Sequence, residues 1–288
     1  MTEEQRKLYA EYIQNSCLMD DFFFSRFFDG ETACTEYVLR IILDKSDLIV
    51  KTAKTQYSVE NFHGRGVRLD VLAEDSAGKL YNIEVQRKDD GAIPQRARYN
   101  SSMLDANYLD KGADFKALPE IYVIFITEHD VLKGGKQVYH IDRVIKETGK
   151  NFGDGSHIVY VNGNIRSGSQ LGDLMHDFFC RELSQMISKQ LAARAQFIKY
   201  NEREVYIMSD FIEQMVAQRT ADIKEKIANE SEAKGRTEGR AEGKAEGRAE
   251  NLLENIRALM ETLHWTAEAA MDALKVSPEE QKELAPLI

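Results

Sequence analysis

Alternation of apolar and polar positions is strongest between Leu69 and Gln86. Leu69, Val71 and Ala73 on one limb and Tyr81, Ile83 and Val85 on the other recur at period two, which predicts a β-hairpin with this face on the core. Ser76, Ala77 and Gly78 between the limbs suit a three-residue loop, a type I turn closed by a left-handed residue where glycine costs least. Such a loop fixes the register. Asp75 faces Lys79, Glu74 faces Leu80, Leu72 faces Asn82, Asp70 faces Glu84 and Arg68 faces Gln86.

Around the hairpin the periodicity changes to that of helices. Residues 3–16 place Leu8, Tyr12 and Ile13 inward, an aromatic cluster spans 22–28, and residues 32–43 turn Tyr37, Val38, Ile41 and Ile42 to the core. Residues 49–62 read as a strand with its connection, and His63-Gly64-Arg65-Gly66 as a glycine-flanked turn. Pro94 opens a helix to about residue 109, while 120–127 and 157–161 are apolar, β-branched runs of buried-strand type, separated by a loop at Gly134-Gly135. Interleaved helices and strands imply an α/β fold, a mixed sheet flanked by helices.

From Leu171 the pattern is helical throughout. Residues 234–250 repeat every four positions, with Gly235, Gly239, Gly243 and Gly247 in one column and like charges in two others. Each glycine costs a lone helix about 1 kcal/mol, and like charges at i, i+4 repel. A flexible linker and a glycine-faced helix that meets another chain both fit; the reading adopted is a helical, self-associating spacer, which a period of four would wrap right-handed. Residues 251–263, 266–274 and 278–284 follow as short helices. The expected division is a catalytic-type domain at 1–200, a spacer at 201–250 and a small helical tail at 251–288.

Charge refines this picture. The net value is −10, but residues 201–288 hold 12 basic and 19 acidic side chains, so residues 1–200 carry only −3. A nearly balanced domain can bind phosphates through a local patch, with weak, salt-sensitive affinity. The tail, with three basic and seven acidic residues, suits a protein contact better than a DNA groove. Cys17, Cys34 and Cys180 are too scattered for a disulfide framework or a zinc site and read as buried thiols. His140-Ile141-Asp142 reads as a surface turn. No run of about eighteen apolar residues and no secretory order at the N-terminus appear, which leads to the expectation of a cytoplasmic protein with no membrane partner.

The chemistry lies on the hairpin's other face. Asp70 and Glu84 opposed across a ladder stand roughly 5 Å apart and repel. A hard divalent cation with oxygen ligands, Mg²⁺ above all, would relieve that cost and support phosphoryl chemistry. Acidic residues alone would favour a solvated acidic face; the combination of an acid, a hairpin and then acid-x-Gln on one face favours the metal.

At these residues the chain resembles the bacterial, transposase-like branch of the PD-(D/E)XK nucleases. The resemblance covers roughly residues 20–180: the aromatic stretch from Asp21 to Phe28, Asp70 in Arg-Leu-Asp-Val, Glu84-Val85-Gln86, the Arg-x-x-Tyr of Arg96 to Tyr99, and Gly112 with the strand from Ile121. It implies a restriction-endonuclease-like fold with a C-terminal all-helical extension, and a Mg²⁺-dependent DNA endonuclease, Mn²⁺ also serving. Asp70 and Glu84 would hold the metal with the Val85 carbonyl, and Glu36 on the first helix is the candidate third acid, against a surface pair with Arg40. Gln86 stands where most members have lysine, and Lys88 would share its face if the strand continued. Arg96 and Tyr99 would meet the substrate. A catalytically degenerate DNA-binding accessory of mobile elements, and a homo-oligomeric scaffold built by the C-terminal helices, are the alternatives.

Overall fold

The computed structural model describes residues 2–61, 64–263 and 266–288, with parts of 225–263 described by backbone alone. The expected turn at His63 and the strand end at Phe62 lie outside the described residues. The chain divides into two units, residues 1–215 and 216–288.

In the first unit, three helices precede the sheet: α1 (Glu3–Gln14), α2 (Asp21–Phe28) and α3 (Thr32–Leu43). A capping box between Thr2 and Gln5 starts α1. In α2 the aromatic run buries Phe23, Phe24, Phe27 and Phe28, and the i, i+4 rings of Phe24 and Phe28 lie 4.8 Å apart. Then come β1 (Val50–Val59), β2 (Val67–Asp75), β3 (Leu80–Gln86), α4 (Pro94–Tyr108) and β4 (Ile121–Thr127). Short strands β5 (Val138–Ile141), β6 (Val144–Ile145) and β7 (Lys150–Asn151) lead to β8 (Ser156–Asn162), α5 (Gln170–Phe179) and α6 (Lys189–Tyr200).

Six strands form one mixed sheet in the order β1-β2-β3-β4-β8-β5. The first three pair antiparallel, β3, β4 and β8 run parallel, and β5 returns antiparallel on β8. Every residue of β4 is buried, as a parallel strand covered on both faces requires. One face packs on α2, α3 and α5 through Val71, Ala73, Tyr81, Ile83 and Val85; the other packs on α4 through Leu72, Leu80, Val123 and Phe125. The fold is therefore a restriction-endonuclease-like mixed sheet between helices.

The hairpin keeps the register its loop implies. Val71 faces Ile83, Leu72 faces Asn82, Ala73 faces Tyr81 and Glu74 faces Leu80. Gly78 has φ +77°, and its N–H donates to the Asp75 carbonyl at 3.1 Å. One alternative falls and one expectation changes. Asp70, Asn82 and Glu84 of the polar face are buried, against the alternative of a solvated acidic face. Leu69, expected beside Val71, joins the cluster under α4 instead. Residues Thr55 and Tyr57 of β1 face Val71 and Leu69, and between them, beside Asp70, Gln56 has φ +51°.

The second unit carries most of α7 (Glu202–Leu263), whose single helix runs through the glycine repeat, then α8 (Ala267–Ala273) and α9 (Pro278–Leu284). Ile256, Ala270, Met271, Val276 and Leu284 form its small core. Thr266 caps α8 on the Ala269 N–H, and Ser277 with Glu280 forms a capping box at α9. No helix among the described residues is long and apolar enough to cross a membrane.

Candidate active site on the central hairpin

The hydrogen-bonded ladder of β2 and β3 is recorded as far as Val71 and Ile83, and the next pair by count is Asp70 and Glu84. There the side chains take over the main-chain bonding. The Val85 N–H donates to Asp70 Oδ2 at 3.2 Å, and the Asp70 N–H donates to Glu84 Oε1 at 3.3 Å. Each carboxylate is thus stitched to the other strand at the carboxyl end of β3, where open α/β sheets present their sites. Both are buried, Asp70 at 9 % exposure and Glu84 at 0 %.

Glu84 has further partners. Asn82 Nδ2 donates to Oε1 at 2.8 Å, and Arg96 Nη2 bonds Oε2 at 2.6 Å. Arg96 and Asn100 lie one turn apart on α4, and Asn100 Nδ2 donates to Asn82 Oδ1 at 3.1 Å. One helix face therefore delivers the cation on one side of Glu84 and, through Asn82, the amide on the other. Arg96 Nη1 also donates to the Gly91 carbonyl at 2.9 Å, in the 3₁₀ turn that links β3 to α4.

Burial raises both carboxyl pKa values, Asp70 well above the ordinary range. For Asp70 the neighbouring charges of Glu84 and then Asp21 add to the effect. For Glu84 the Arg96 guanidinium, followed by the Asn82 hydrogen bond, opposes it. Asp21, the first residue of α2, acts on both acids and is the residue that sequence reasoning did not single out. One acid at the head of an aromatic run carries no spacing signal. Its position is held by a clamp: Arg87 bonds Asp20 Oδ1 and Glu128 Oε2, each at 2.9 Å, tying the start of α2 to the end of β3.

The other expected residues divide. Gln86 ends β3 at the rim, with its side chain lying against Gly91: a Cβ there would stand 2.1 Å from Gln86 Oε1. Lys88 does not share that face, because β3 stops at Gln86 and Lys88 is exposed in the following turn. Glu36 does not reach the pair either. Its Oε1 pairs with Arg40 at 2.7 Å and its Oε2 accepts from the Val50 N–H at 3.0 Å, so it anchors the start of β1. Tyr99 is also turned away: its hydroxyl donates to the Arg65 carbonyl and accepts from Asn61, securing the connection between β1 and β2.

Two buried carboxylates, both oxygen donors, suit a hard divalent ion. Among the described residues no group of three His, Cys, Asp or Glu side chains stands ready to hold one, so water or substrate oxygens would complete any coordination. A family model described as PD-(D/E)XK nuclease family transposase matches residues 18–165. Comparison with curated proteins and with solved structures found no match.

Proposed function

This chain belongs to the PD-(D/E)XK nuclease family transposases, and on that premise we propose that it is a divalent-metal-dependent DNA endonuclease of the kind carried by mobile elements. The observation that carries the reading is the convergence of Asp70 and Glu84, buried and cross-bonded at the carboxyl end of β3. Two carboxylates with raised pKa values in a dry site are costly as anions, and a hard dication offsets that cost. Asp70, Glu84 and the Val85 carbonyl would hold Mg²⁺, or Mn²⁺ in its place. When bound, the ion would neutralise charge on the scissile phosphate and lower the pKa of water.

The chain's own groups do the rest. Asn82, held by Asn100, fixes the rotamer of Glu84. Arg96 supplies a guanidinium at the mouth of the site, suited to a phosphate oxygen of the DNA backbone. The Gln86 carboxamide, at the place of the usual lysine, orients the attacking water by hydrogen bonding. In-line hydrolysis then leaves 5′-phosphate and 3′-hydroxyl ends.

A second reading, a catalytically degenerate DNA-binding accessory, is favoured by Gln86 and by the lack of a third metal-ready acid among the described residues. Mg²⁺-dependent nicking of supercoiled plasmid separates the two. Asp70→Ala and Glu84→Ala are each expected to lower nicking at least about a hundredfold, since metal activation supplies several kcal/mol. Equal activity in the wild type and both variants would leave the accessory reading standing.

A further inference from the structure

Both oxygens of the buried Glu84 are engaged, but their donors differ in how firmly they are held. Asn82 is fully buried and is itself bonded by Asn100. The Asp70 N–H belongs to the main chain of β2. Arg96 alone stands partly in solvent, with 35 % of its side chain exposed. Its second anchor, the Gly91 carbonyl, lies in a surface turn, and its guanidinium carbon hangs 5.7 Å from the centre of the Phe125 ring. Glu84 Oε2 is therefore held by the one partner that can withdraw without breaking the sheet.

A divalent ion shared by Asp70 and Glu84 would lie about 2.0–2.6 Å from its oxygens. A guanidinium 2.6 Å from Glu84 Oε2 would then face a like charge at contact distance, with little solvent to screen it. We propose that Arg96 is the resident counter-ion of the acid pair and that metal binding displaces it from Glu84, turning the guanidinium outward to the phosphate of the incoming DNA. The inference rests on the reading of Asp70 and Glu84 as the metal site. It makes Arg96 a competitor of the metal and a ligand of the substrate in turn, so that one side chain couples metal entry to DNA capture.

Mn²⁺ itself serves as the probe, its free concentration followed by electron paramagnetic resonance in solutions of the full chain. Arg96→Gln is expected to bind Mn²⁺ about tenfold tighter than the wild type, the size of one charged hydrogen bond removed from competition. Arg96→Lys, which keeps the charge but not the two-point grip, is expected to gain severalfold and guards against a folding defect in the glutamine variant. Asp70→Asn is expected to lose the site in either background. Unchanged or weaker binding by both Arg96 variants overturns the exchange while leaving the metal site intact. Absence of Mn²⁺ binding by the wild type and both Arg96 variants overturns the metal reading and the exchange together.

Discussion

The proposed chemistry rests on two carboxyls whose protonation is displaced by burial. Because their folded pKa values are raised, the folded chain keeps these protons to higher pH than the unfolded chain. The pair therefore destabilises least below the ordinary carboxylate range, about 3.9–4.3, and its contribution worsens as pH rises through the raised folded values. Asp70→Asn is expected to raise the unfolding midpoint at neutral pH in metal-free buffer, by about 2–4 °C per kcal/mol relieved. That gain should shrink as pH falls and close below about 3.9, where the wild-type carboxyl is protonated in both states. A calorimetric pH series checks this. At Gly91 a Cβ has no room beside Gln86, so Gly91→Ala is expected to displace the carboxamide and lower nicking about ten- to hundredfold, matched by Gln86→Ala and measured as kcat with KM little changed. Asp70, Glu84 and Arg96 were legible in the sequence because a turn sets the hairpin register and the family resemblance marks the arginine. For Glu36, helix spacing offered the pair with Arg40 beside the role of third acid, and that pair is present; the amide of Val50 on its other oxygen comes from outside the helix and left no mark in its spacing. Asp21 was hidden because its electrostatic influence on Asp70 reaches across 49 residues of chain.

Elements with a strong period were legible, and those without one were not. The hairpin, α4 and β4 follow directly from alternation, Pro94 and a continuous apolar run. The strands β5, β6 and β7 are short and mostly exposed, so no apolar pattern marks them. Alternation also failed locally at Leu69, which pairs beside the left-handed Gln56 of the neighbouring strand, a backbone feature that β2's own residues do not encode. The repeat shows the reverse case, in which poor intrinsic propensity did not prevent a helix. Among its glycines, a Cβ at Gly235 or Gly247 would meet nothing within 4 Å. Gly235→Ala and Gly247→Ala are each expected to stabilise α7 by about 1 kcal/mol, seen as a gain in helical circular dichroism and in its melting temperature. A loss of helicity would mean that another chain packs against those glycines.

At the scale of the molecule, two units of different character share one chain. Residues 1–215 hold the sheet and the acid pair; residues 216–288 hold most of α7 and a small helical core. The acidic excess lies in residues 201–288, with 12 basic against 19 acidic side chains, so the proposed DNA binding would draw on local cations such as Arg96 and not on overall charge. With two or three phosphate contacts, log K against log salt is expected to have a slope of about −2 to −3, measurable by filter binding, and Arg96→Gln should make it shallower by about one unit. The family and the layered fold were open to reading because a turn, a strand period and a few motif residues are local. The covering of the acidic face by α4 was not, since it depends on a helix packing over strands distant in sequence. The most direct test is an anomalous difference map from crystals of the full chain soaked in Mn²⁺. A Mn²⁺ peak is expected within about 2.0–2.6 Å of oxygens from both Asp70 and Glu84, with Arg96 withdrawn from Glu84. Mn²⁺ bound elsewhere, with the contact between Arg96 and Glu84 intact and no peak at the pair, would contradict that expectation.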